Sequence, residues 1–133
     1  MIRYDELSDD RRMEIFKELT ENMWALYNKK HSDYGLSFEK SFHEYGPAAS
    51  MIRVEDKINR YKNLIDNKSL YDFIGSMDGK VGESVLDTLI DGANYLVMMA
   101  TELKLIKETL ERDKDTGKNL FTYDSDDSKS IYQ

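Results

Sequence analysis

The sequence predicts an all-α chain, and three observations carry that expectation. One Pro and seven Gly in 133 residues leave few breaks, which favours long helices over a sheet protein with many turns. Apolar residues recur at steps of three and four in three separate stretches. The last of these runs from about residue 83 to residue 112, roughly 45 Å at the rise of an α-helix, longer than a domain of this size is wide. The fold class expected is a helical bundle with a long C-terminal helix, completed by a second copy of the chain.

The first helix is expected from about residue 9 to 30. Ser8 stands as its N-cap, Asp9 and Asp10 fill its first turn, and Phe16, Leu19, Met23, Leu26 and Tyr27 form its apolar face. "SDYGLSFEKSFHEYGP" follows, and its two Gly, its Pro and its scattered aromatics predict a structured loop or short helical turns. Pro47 suits the first turn of a second helix, "PAASMIRVEDKINRYKNLI", whose apolar face is Met51, Val54, Ile58, Tyr61 and Ile65. "KSLYDFIGSMDGKVG" reads as a connector with a short helix, stopped by the Asp78-Gly79 turn signal. The third long helix opens near Glu83. Beyond it, "DKDTGKNLFTYDSDDSKSIYQ" is polar apart from a few side chains and reads as a tail. One domain over 1–114 and a tail over 115–133 are therefore expected.

Composition narrows the function. The chain is 40% hydrophobic and 34% charged, with a net charge of -7; that balance argues against a nucleic-acid surface, where a basic stripe would be needed. A polyanionic ligand would require a local basic patch. With no cysteine, thiolate chemistry, disulfides and cysteine-based zinc sites are excluded. The amino terminus lacks the apolar core of a signal peptide, and no run approaches the ~18 apolar residues of a membrane span. A cytoplasmic location without a membrane partner is the expectation.

The chemistry lies in polar stripes on helices. Glu83, Asp87 and Asp91 follow one another at intervals of four, and Asn94 comes three later. At 100° per residue they fall within roughly 80° of one another. Like charges at that spacing repel, and a hard cation such as Mg2+, which takes oxygen ligands and keeps several waters, would remove the repulsion. Asp87 and Asp91 are the candidate ligands, with Glu83 a third ligand or the base that orients water. On the second helix Asp56 joins them as a candidate metal ligand, beside Arg53, Lys57 and Arg60 on one face, so that carboxylate and phosphate-binding cations lie together. The alternative is that both stripes are the solvated faces of ordinary amphipathic helices. In "KKHSDYGLSF", Lys30, His31, Asp33 and Tyr34 are candidate nucleotide contacts, with the Tyr34 ring available to stack on a base. Lys29, Lys30 and His31 would equally complement the dipole at a helix C-terminus. No glycine-rich phosphate loop, nucleophile elbow or Rossmann fingerprint is present.

Taken in order, "KKHSDYGLSF", "MIRVEDKINRYKNL" and "ESVLDTLIDGANYLVMM" resemble the nucleotide-modification-associated domain common in phages. That branch is similar to the all-α NTP pyrophosphohydrolases of the MazG and dimeric dUTPase type. The resemblance covers roughly residues 25 to 105. It implies a MazG-like bundle, Mg2+ bound by an ExxE pair and a later ExxD pair, and cleavage of a nucleoside triphosphate between its α and β phosphates. Asp91 matches the last acid of that pattern, and Asp87 stands where a glutamate of the second pair is expected. On the earlier helix "VEDKINR" offers Glu55 and Asp56, with Asn59 and Arg60 where a second acid would stand. Three readings stay open: a Mg2+-dependent pyrophosphohydrolase with Glu83 and Asp87 in catalysis, a module that binds or sequesters a nucleotide, and a helical oligomer whose stripes face solvent.

Overall fold

The computed structural model describes residues 2–34, 36–77 and 85–115, and every long element among them is an α-helix: α1 Asp9–Tyr34, α2 Ser37–Tyr45, α3 Pro47–Ile65, α4 Leu70–Ser76 and α5 Val85–Asp115. The region predicted as one domain over 1–114 groups, by its contacts, into two compact units, Met1–Gly35 and Leu36–Gln133. No helix among the described residues is long and apolar enough to cross a membrane.

In the first unit, Ser8 caps α1 as its residue type predicts: its Oγ accepts from the Arg11 backbone N–H at 3.1 Å. Arg12 donates to Asp9 at 2.7 Å at the head of α1, and one face of the helix is laced by Arg11, which donates to Glu14 at 3.0 Å and to Glu18 at 2.9 Å. The hydrogen bond to Glu18, then that to Glu14, raises the Arg11 guanidinium above its ordinary value. It therefore stays charged wherever the carboxylates are ionised. The opposite face carries the apolar repeat, yet Phe16 is 71% and Trp24 65% exposed. Trp24, Tyr27 and His31 instead lie one turn apart along it, with ring centroids 6.2 and 5.5 Å apart. The helix runs to Tyr34, about a turn past the expected end near residue 30.

The second unit is built on α3 and α5, which run antiparallel. Ser50 Oγ lies 2.8 Å from Met99 Sδ, Arg53 lies over the Tyr95 ring, and Lys57 Nζ lies 3.2 Å from Asp91 Oδ2, so the numbering falls along α5 as it rises along α3. In that register the start of α3 is level with Glu102. Residues 103–115 of α5 thus extend about 20 Å past the end of α3.

Of the two forms expected after α1, a structured loop or short helical turns, the described residues take the helical one, as α2. Phe38 and Phe42, one turn apart, put their rings on one face with centroids 6.4 Å apart, and both are buried. Phe38 also stacks on Tyr95 of α5 at 6.0 Å. Burial of this pair gives a nine-residue segment the tertiary support a short helix needs, because most helical stability comes from the buried face rather than from propensity. Gly46, with φ of 84°, ends α2 and precedes Pro47 at the start of α3; a side chain there would be strained. α4 is capped by Ser69, whose Oγ accepts from the Asp72 N–H at 3.2 Å. It sets Phe73 edge-on to Tyr61 of α3 at 6.1 Å. Val54 and Val85 complete the buried apolar set with Phe38 and Phe42. Glu102 is buried with them and lies 3.3 Å from Nε2 of His43, which joins α2 to α5.

Candidate functional site

The candidate site is an open groove of about 520 Å³ along α3, lined by Arg53, Asp56, Lys57, Asn59, Arg60, Asn63 and Tyr95. Six of the seven come from one helix, because steps of three and four bring positions 53, 56, 57, 60 and 63 to neighbouring places on its surface. Tyr95 comes from α5 and forms the wall where the two helices meet. Three cations and one carboxylate line the groove. In a chain of net charge -7, this is the local basic patch that a polyanion would need.

Each cation is held differently. The Arg53 guanidinium lies over the rings of Phe38 and Tyr95, at 5.6 and 5.8 Å from their centroids. A stacked guanidinium keeps its N–H donors around its edge, where a phosphate can take two of them at once. Lys57 is half-buried and forms an ion pair with Asp91 at 3.2 Å, both side chains being about one-fifth to one-quarter exposed. Arg60, one turn past Lys57, is exposed on the groove. From Arg53 to Arg60 the cations span about 10 Å of helix, long enough to meet more than one phosphate.

Several of the sequence-predicted site residues meet here. Arg53, Asp56, Lys57 and Arg60 line one groove, and Asp91 joins them through Lys57. Asp87 lies exposed one turn before Asp91, and Asn94 is half-buried on α5 but does not line the groove. Lys30, His31 and Asp33 are exposed on the last turns of α1, in the first unit, and Tyr34 closes that helix. Glu83 lies outside the described residues.

The fit of these residues to Mg2+ is poor. Asp91, matched by the resemblance to a metal ligand, already faces an ammonium group, and among the described residues no three of the His, Cys, Asp and Glu side chains converge. A hard divalent cation needs oxygen ligands that a lysine does not neutralise.

Sequence reasoning missed Asn59, Asn63 and Tyr95. Asn63 lies seven residues after Asp56, on the same stripe, and that spacing was a usable signal. Tyr95 ends the "DGANY" element, but nothing in its spacing reveals that it would wall a groove on another helix.

No protein-family model, no curated protein and no solved structure matches this chain.

Proposed function

We propose that the α3 groove binds the phosphates of a nucleotide, and that the protein acts by holding that nucleotide rather than by cutting it. The observation that carries this reading is the cation set of the groove: Arg53 and Arg60 flank Lys57 on one face of α3, and Lys57 neutralises Asp91, a carboxylate that a metal would need. Arg53 and Arg60 offer planar donor forks to phosphate oxygens on either side of Lys57. The amides of Asn59 and Asn63 can both donate and accept, which suits the edge of a base or a sugar hydroxyl. Tyr95 gives the ligand an apolar wall. The phage-type, MazG-like resemblance supports the same ligand class, and with it a homo-oligomeric bundle working in the cytoplasm.

A second reading, Mg2+-dependent pyrophosphohydrolysis, is favoured by one observation: Asp87 and Asp91 are one turn apart on α5, as a pair of metal ligands would be. Calorimetry on a panel of nucleoside mono-, di- and triphosphates, with Mg2+ and with a chelator, separates the two. Holding predicts that binding survives the chelator and that no pyrophosphate appears. Release of pyrophosphate that depends on Mg2+, and is lost in Asp91→Asn, would overturn it. Absence of binding by every nucleotide would return the groove to an ordinary charged surface.

A further inference from the structure

α5 carries a second pattern that the groove does not use. Leu86, Leu89, Ala93, Leu96, Ala100, Leu103, Lys107 and Leu110 follow one another at strictly alternating steps of three and four. That alternation is the a/d spacing of a coiled coil, sustained over more than three heptads. These positions lie about 110° around the helix from Thr88, Gly92, Tyr95, Met99 and Glu102 on the side of α5 nearest α3 and α2. No other helix of the second unit covers them fully: Leu86, Leu89, Leu96 and Leu103 are 46, 43, 49 and 52% exposed.

We infer that this seam is the contact between two copies of the chain, with their α5 helices antiparallel about a two-fold axis level with residue 98. It deepens the homo-oligomer part of the function proposed above and rests on that part, not on the nucleotide. The occupant follows from self-complementarity. Turned end for end about that level, Leu96 of one copy meets Ala100 of the other, and Ala93 meets Leu103, so that a large side chain faces a small one at each central layer. Leu86 then meets Leu110, and Leu89 packs on the aliphatic stem of Lys107, whose ammonium reaches solvent at the end of the seam. A parallel pair would instead oppose Ala93 to Ala93 and Lys107 to Lys107, leaving a void in one layer and like charges in another. Antiparallel packing also sets the helix dipoles in opposition, which is the favourable sense. From 86 to 110 the seam is about 36 Å long and roughly the 10 Å breadth of a helix. A strip of that size is a flat footprint of about 360 Å² on each copy, about half of the ~800 Å² per partner that stable interfaces bury, which suits a reversible dimer.

The chain has no cysteine, so a single introduced thiol labels one place only. Thr101→Cys and Glu108→Cys lie on α5 away from the seam and are both exposed. In the antiparallel pair, nitroxide labels at 101 are offset along the axis by about 9 Å and at 108 by about 30 Å. The distance between labels at 108 should therefore exceed that at 101 by roughly 15 Å or more. Equal distances at the two sites would mean a parallel pair and overturn the inference. So would a dimer whose distances break this order, as when the first helix of one copy lies on the seam of the other. Leu96→Glu should raise the dimer dissociation constant about a hundredfold or more while helix content stays constant, because Leu96 is exposed in the single chain. Ala100→Glu reads the same contact if the first variant loses helix content. A dimer that survives both folded variants, or a wild-type chain that is monomeric at about 100 μM by light scattering, removes the seam. A monomer that still binds nucleotide leaves the groove standing, and a dimer that binds none leaves the seam standing.

Discussion

Replacing Arg60 by Ala takes one donor fork from the groove without opening the core, since Arg60 is exposed. The expected result is a loss of about 1.5–3 kcal/mol in nucleotide binding, the worth of hydrogen bonds to a charged group, with the melting temperature nearly unchanged. Unaltered affinity in calorimetry would show that the ligand does not reach this end of α3. Thr88 makes an opposite case. It is 1% exposed and its hydroxyl has no hydrogen-bond partner among the described residues, which costs about 1–3 kcal/mol in a buried place. Thr88→Val keeps the shape and removes the orphan, so it should stabilise the fold by about 1 kcal/mol, several degrees in melting temperature. A lower melting temperature would count against the orphan. At this scale the sequence shows which residues share a stripe, because helical spacing is local. Arg53, Asp56, Lys57 and Arg60 were legible for that reason. That Lys57 lies on Asp91 was not, since their pairing depends on the register between two helices 34 positions apart in the chain.

Gly92 lies in the interior of α5 where α3 passes close by. A Cβ built there would meet Lys57 Cβ at 3.5 Å, an ordinary contact. Gly92→Ala should therefore keep the α3–α5 register and add up to about 1 kcal/mol through helix propensity. Chemical denaturation would register this as a higher midpoint with an unchanged slope; a lower midpoint would mean that the helices lie closer than this contact allows. Helix starts were the more legible part of the elements: Ser8 before α1 and Gly46-Pro47 before α3 each act through a local mechanism. α2 was legible only as a loop or short helical turns, because its signal is one pair, Phe38 and Phe42, too short a run to show a period. Only the ring of Tyr95, more than fifty residues later, makes that pair a buried face.

Among the described residues the second unit buries few large apolar side chains, with Phe38, Phe42, Val54 and Val85 below one-tenth exposure, while Leu70, Leu96, Leu103 and Leu105 are about half or more exposed. A fold completed by a second copy gains stability by mass action, so each tenfold rise in protein concentration should add up to about 1.4 kcal/mol per dimer. The melting temperature should rise accordingly between micromolar and hundred-micromolar solutions, and a value independent of concentration would exclude stabilising assembly over that range. The all-α class was legible at this scale from the scarcity of Gly and Pro. The division of contacts at Gly35 was not, because the apolar repeat of α1 reads the same whether or not anything covers it. Residues 103–115, the part of α5 that passes beyond α3, carry one more consequence. These turns prolong a helix that is already nucleated but gain nothing from α3, so in the proposed dimer part of what the second copy would provide is order in these turns rather than contact alone. In that dimer, ordering them on association would oppose the gain from burial and make the union of two chains weaker than its area implies and readily reversible.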